Sequence, residues 1–165
     1  MKNLYIDFDG VIVDSIDVTY KMIDERNINI NDADECLRFY QNLDWNMVLK
    51  KCKLINDSIE CIRKLEDSNL FNISILTHVS SLGEIEEKVK FIRKYLKNIT
   101  IIPVPKSISK TNMLKAQDSI LVDDYVVNLE EWKSAGGIGI RFDLDMDGKG
   151  FPVVDRLDDI FKIVF

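Results

Sequence analysis

Two aspartates, Asp7 and Asp9, stand one residue apart where the apolar run Leu4-Tyr5-Ile6 stops being apolar. Asp is a poor strand residue, and a carboxylate inside a buried strand is costly unless something compensates it. At the C-terminal end of a strand from Leu4 to Phe8 the two side chains point the same way. In open parallel sheets that edge is where ligands bind. Two like charges held so close repel, and a divalent cation is the usual remedy. Other apolar runs close in the same manner. Thr77 ends the run from Phe71 to Leu76, and Asp123-Asp124 ends the run from Ser119 to Val122, with Lys106 and Lys110 in the loop before it. A nucleophilic carboxylate, an acid/base carboxylate, a hydroxyl, a fixed cation and further carboxylates for a metal form a set suited to phosphoryl transfer.

Each residue also has a plainer use. An Asp at a strand end is most often a cap or turn former, and Thr77 caps as readily as it binds. Exposed lysines are common, and Lys115 stands close to Lys106 and Lys110. His78 is the sole histidine, which leaves no scope for a multi-histidine metal site, and a lone histidine more often packs or borders a site. Asp143, Asp145 and Asp147 alternate before Gly148 like a calcium loop, but the twelfth position is Val154 rather than Glu. Phe39, Tyr40 and Trp45, with Tyr20, have faces that stack on a planar base, although aromatics at helical spacing are more often core. Four polar strand ends in one consistent order weigh against the plainer reading of the whole set.

The elements that must position these groups follow from periodicity. Ile16, Tyr20 and Ile23 share a helical face after Ser15. Short helices are expected over Glu35 to Tyr40 and Trp45 to Cys52, and a firmer one from Asp57, where Asp57 and Glu60 have capping-box spacing. Ser81 and Glu84 repeat that spacing, and Ile85, Val89, Ile92 and Leu96 make the clearest amphipathic stripe. Strands at Ile99 to Val104 and Ile138 to Phe142, a helix over Val126 to Lys133 and a last helix over Asp155 to Ile163 complete the alternation. Strands separated by helices predict an α/β, Rossmann-like open parallel sheet with helices on both faces. The interval between the first and second strands is too long for a simple crossover. The expected division is therefore a core of residues 1–14 and 71–165, with residues 15–70 as a small helical cap beside the leading carboxylates.

Composition bounds the function. At 165 residues and 19.1 kDa the chain is one ordinary globular domain with an insertion. A net charge of −6 argues against a nucleic-acid polymer or an anionic membrane as partner. A small phosphorylated metabolite stays open, provided a metal and a lysine neutralise its pocket. No signal peptide is read at the N-terminus. Three cysteines, Cys36, Cys52 and Cys61, lack CxxC spacing and give no disulfide or zinc framework, so a cytoplasmic protein is expected.

The run Asp7-Phe8-Asp9-Gly10-Val11-Ile12-Val13-Asp14-Ser15 resembles the first motif of the haloacid dehalogenase (HAD) superfamily. Ile75-Leu76-Thr77 resembles its second, Lys110 or Lys106 its third, and Leu121-Val122-Asp123-Asp124 its fourth. Within that superfamily the pattern is most similar to the small 5'-(deoxyribo)nucleotidase group, on the segment Phe39 to Leu43, the helix Ser58 to Leu65 and the adjacent Asp123-Asp124 pair. Lys110 is preferred over Lys106 because Lys110-Thr111 resembles the loop of those enzymes. The resemblance implies an Mg²⁺-dependent phosphatase. Asp7 would be the nucleophile that forms an aspartyl-phosphate, and Asp9, protonated at first, the general acid and then base. Thr77 and Lys110 would contact the phosphoryl group. Gly10, His78, Phe39, Tyr40 and Trp45 would line the substrate site, with the nucleoside monophosphate the implied substrate. Asp7, the Asp9 main-chain carbonyl and Asp123 would hold the metal, and Asp124 would ligate or hold water. Transfer to another acceptor through the same intermediate, phosphatase action on a non-nucleotide metabolite, and a non-catalytic module with this fold are the alternatives. Two retained, mutually repelling carboxylates speak against the last.

Overall fold

The computed structural model describes residues 1–163. Six parallel strands form one sheet: β1 Lys2–Ile6, β2 Phe71–Val79, β3 Thr100–Pro105, β4 Ile120–Asp123, β5 Ile138–Phe142 and β6 Val153–Val154, in the order β3-β2-β1-β4-β5-β6. The order reverses direction between β1 and β4, which lie side by side with Leu4 opposite Ile120 and Ile6 opposite Val122. Such a switch point opens a crevice at the C-terminal ends of the two strands. Asp7 extends the pairing by one step, its N–H donating to the Val122 carbonyl at 2.9 Å.

Helices cover both faces, as the sequence leads one to expect. The helices α1 Ser15–Glu25, α2 Ala33–Gln41, α3 Trp45–Lys51 and α4 Ser58–Asp67 stand between β1 and β2, α5 Leu82–Arg93 follows β2, and α6 Val126–Ser134 follows β4. Because strand side chains alternate, Leu4, Ile6, Ile73, Ile75, Ile120 and Val122 join one apolar cluster with Ile62 and Leu65 of α4 and Phe91 and Ile92 of α5. Tyr5, Leu76 and Leu121 face the other way, onto Leu129 and Trp132 of α6. At roughly 2 kcal/mol per large apolar side chain removed from water, these two layers carry the fold. Among the described residues no helix is long and apolar enough to cross a membrane.

Several local expectations need correction. The Asp57–Glu60 spacing predicts a capping box, yet Asp57 sits in the left-handed region at φ 56° and makes no capping bond. Its carboxylate pairs instead with Arg156. The helix read from Asp155 to Ile163 is a 3₁₀ segment, Leu157–Lys162, preceded by the two-residue strand β6, which is too short to leave a periodic pattern. The four helices between β1 and β2 pack in two places. α4 lies against β2 and the Leu157–Lys162 segment, where a parallel β1–β2 pair requires its crossover helix. α3 packs on α1 and α5.

Candidate active site

The ends of β1, β2 and β4 border one cavity through Asp7, Asp9, His78 and Asp124. It has a volume of about 540 Å³ and is bounded by Asp7, Asp9 and Asp124 on the sheet side and by residues of α1, α2 and Trp45 opposite. Asp7 is buried, and its Oδ1 accepts a hydrogen bond from Lys110 Nζ at 2.8 Å. Lys110, 1% exposed, also donates to Asp123 Oδ2 at 2.6 Å, so one ammonium bridges the ends of β1 and β4. Lys106 does not reach Asp7; it lines the cavity and lies over the Tyr125 ring. Burial alone would depress the Lys110 ammonium, but Asp123 and Asp7 outweigh it and hold it above the ordinary lysine range.

Asp7 and Asp9 do not point the same way, contrary to the expectation from a strand running through Phe8. Regular pairing ends at Ile6, and the chain turns through Gly10 at φ +72°. Asp9 therefore turns toward β2 and α5: its Oδ1 accepts from Ser15 Oγ at 2.6 Å, and its Oδ2 from Thr77 Oγ1 at 3.4 Å and Lys88 Nζ at 2.5 Å. Gly10 is required twice over. Its left-handed backbone favours glycine, and a Cβ there would collide with the Asp124 carboxylate.

One oxygen each from Asp7, Asp123 and Asp124 lie within 4.8 Å of one another. Asp123 is fully buried and satisfied, accepting from Lys110, from Asn128 Nδ2 at 2.9 Å and from the Tyr125 N–H at 2.9 Å. The Asp124 carboxylate accepts no hydrogen bond and pairs with no cation from the described residues. Burial, then repulsion from Asp7, Asp123 and Asp9, pushes Asp124 up to about 8. Burial likewise lifts Asp7 to about 7, with Lys110 opposing and Asp123 and Asp9 adding to the rise. Three carboxylates with one unpartnered member are a donor set short of positive charge, and an all-oxygen set fits a hard divalent cation such as Mg²⁺. Asp9 contributes no carboxylate to this trio.

The remaining residues expected at the site divide. Thr77 is buried beside Asp9. His78 lines the cavity with Nε2 3.0 Å from the Ile108 carbonyl, and burial together with Lys110 holds its pKa down at about 4, so the ring is neutral near pH 7. Tyr40 lines the cavity and its hydroxyl reaches Thr19 at 3.5 Å. Trp45 borders it but is only 4% exposed, its ring facing the Lys88 ammonium at 4.6 Å. Phe39 is buried against Tyr40 and outside the cavity wall, which places it in the core rather than at the site. Tyr20 of α1 and Tyr125 before α6 stand more exposed at the cavity.

Three contributors escape a reading of the sequence. Ser15 and Asn128 are ordinary helix residues until the fold brings them to Asp9 and Asp123. Lys88 was hidden in the amphipathic helix. The stripe Ile85, Val89, Ile92 predicts one buried face, yet Glu84, Lys88, Phe91 and Ile92 are the residues α5 buries. The available signal was angular: Lys88 lies three residues after Ile85 and four before Ile92, on the stripe rather than opposite it.

No protein-family model matches the sequence, and no curated protein matches it. Solved structures do. A HAD-superfamily hydrolase of subfamily IA, variant 1, from Geobacter sulfurreducens is similar over 99% of this chain and 100% of its own, at 12% identity and a TM-score of 0.65. A HAD phosphatase from Thermococcus onnurineus is similar over 98% and 97%, at 14% identity and TM-score 0.64. A magnesium-bound HAD hydrolase from Bacillus subtilis covers the same shares at 13% and 0.64. The topology, the switch-point cavity and these neighbours agree that the chain carries the fold of the HAD-superfamily hydrolases.

Proposed function

We propose that the chain is an Mg²⁺-dependent phosphomonoesterase that carries the phosphoryl group on Asp7. The observation behind this reading is the convergence of Asp7, Asp9, Thr77, Asp123 and Asp124 from three strand ends, with Lys110 joining two of them. Asp7 attacks phosphorus as the bond to the leaving oxygen breaks. Asp9 gives that oxygen a proton and takes one from the water that later releases phosphate. Thr77 turns the hydroxyl hydrogen it gives to Asp9 in the free protein toward a phosphoryl oxygen, and Lys110 offsets the charge that builds there. Carboxylates of Asp7, Asp123 and Asp124 and the Asp9 carbonyl would hold the metal, and its charge would polarise the phosphoryl group. The lack of any other partner favours Asp124 as a direct ligand, while Asp123 already serves three donors.

We further read α1 to α3 as the cap, since Ile16, Tyr20, Leu37, Tyr40 and Trp45 line the cavity from that side. A volume near 540 Å³ with a tyrosine-rich wall suits a nucleoside monophosphate, with Tyr20, Tyr40 and Tyr125 as the stacking faces in place of the buried Phe39 and Trp45. The test is a panel of phosphorylated metabolites assayed for released phosphate. Turnover in Mg²⁺ that stops with a chelator is expected, with nucleoside monophosphates the fastest class. Activity unchanged by the chelator would contradict the metal's role, and preference for small sugar phosphates would contradict the substrate class.

A further inference from the structure

Lys88 is 1% exposed, yet lysine is a residue that rarely surrenders its ammonium to the interior. Its Nζ has four oxygens within hydrogen-bond reach of its three hydrogens: Asp9 Oδ2 at 2.5 Å, Glu84 Oε1 at 2.7 Å, the His78 carbonyl at 3.1 Å and Thr77 Oγ1 at 3.2 Å. The rings of Trp45, at 4.6 Å, and Phe8, at 5.3 Å, close over it. Four separate parts of the chain, the loop after β1, β2, α3 and α5, thus converge on one cation. Nothing in the helix requires it. An apolar side chain would complete the stripe of Ile85 and Ile92, and buried ion pairs commonly add nothing to stability over such a replacement. Glu84 gives the ammonium a counter-ion of its own, held in turn by the Ser80 N–H at 2.7 Å, so Lys88 stays paired when Asp9 engages another group.

The consequence falls on Asp9. Its carboxylate shares the cavity wall with Asp7 and Asp124 and adds to the repulsion on both, and a carboxylate without an anchor is drawn to any dication the Asp7–Asp123–Asp124 trio holds. We propose that Lys88 is a positioning residue: with Ser15 and Thr77 it fastens the Asp9 carboxylate from behind, keeps it out of the Asp7–Asp123–Asp124 trio, and leaves it turned to the departing oxygen. This rests on the phosphatase reading above. In that reaction the bond from phosphorus to the leaving oxygen breaks while the electron pair stays on oxygen, which takes its proton from Asp9. Need for that proton varies with the leaving group: an alkoxide requires it, a nitrophenolate hardly does.

Lys88→Met and Lys88→Arg should therefore be compared with the parent protein on a simple alkyl phosphate and on p-nitrophenyl phosphate. Lys88→Met is expected to lose on the order of 100-fold in kcat/KM on the alkyl ester, the scale of a misplaced general acid, and less than about 10-fold on the aryl ester by the same reasoning. Lys88→Arg, which keeps a cation, should recover part of the alkyl activity. Equal losses on both esters would reduce Lys88 to a packing role and overturn the proposal, as would no loss. A crystal structure of Lys88→Met with Mg²⁺ supplies a reading independent of turnover: the Asp9 carboxylate should leave Thr77 for the trio, and an unmoved carboxylate overturns the proposal. If the parent hydrolyses neither ester, the phosphatase reading fails while the crystallographic result still judges the anchoring. Should Lys88→Met not fold, Lys88→Met combined with Glu84→Gln, which leaves no unpaired Glu84 carboxylate behind, carries both tests.

Discussion

The Asp7 and Asp124 carboxyls bear the electrostatic load of this site. Burial and mutual repulsion raise them from 3.8 to about 7 and about 8. In chelator the folded protein keeps protons that the unfolded chain releases near pH 4, so stability must fall as pH rises through the folded values. Each retained proton costs about 1.4 kcal/mol per pH unit across that range. His78, lowered from 6.5 to about 4, acts in the opposite sense, but only below pH 6.5. Between pH 6.5 and 8 the carboxyls alone act, and the melting temperature in chelator is expected to drop. Mg²⁺ should raise it more at pH 8 than at pH 6.5, because the cation replaces the protons. A melting temperature in chelator that climbs over this window would contradict the assignment. At this scale the sequence was informative where types and order coincide: Lys110 joins Asp7 to Asp123, with Asp124 beside them, and Thr77 reaches Asp9, while Asp7, Asp9 and Asp124 face the cavity. It was silent on Ser15, Asn128 and Lys88, whose roles depend on which way a helix turns.

Elements decide what those residues see. β1 ends at Ile6, two residues earlier than its apolar pattern, and that early end sends Asp7 to Lys110 and Asp9 to Lys88. A capping interaction sets α5 in place: the Ser81 hydroxyl accepts from the Glu84 N–H at 3.1 Å, while Glu84 reaches back to Ser80. That registration carries Lys88 to the back of Asp9. α1 and α2 supply the aromatic wall. Tyr20→Ala is expected to raise KM for nucleoside monophosphates about 5- to 30-fold, the loss of about 1–2 kcal/mol of stacking, and to leave KM for p-nitrophenyl phosphate unchanged. Steady-state kinetics on both substrates checks this, and an equal rise on the two would place Tyr20 in cap folding instead. The positions of β1 to β5 were legible to within two or three residues because buried parallel strands read as continuous apolar runs, whereas the two-residue β6 left no such run. Asp57 was misread because spacing alone cannot show that its backbone is left-handed.

The whole molecule places its chemistry where β1 and β4 part, roofed by helices that share the core beneath. That layout explains why the architecture was legible and the substrate was not. Alternating apolar runs fix the layers and the sheet edge. The cavity wall, by contrast, is assembled from α1, α2 and the loops before α5 and α6, whose mutual packing no local pattern encodes. The measurement closest to the central claim is mass spectrometry of the protein quenched in acid during turnover of a phosphate ester with Mg²⁺. The expected result is one phosphoryl group on the peptide holding Asp7, absent from Asp7→Asn, which should also be inactive. An Asp7→Asn protein that hydrolyses the ester at the parent's rate would contradict it.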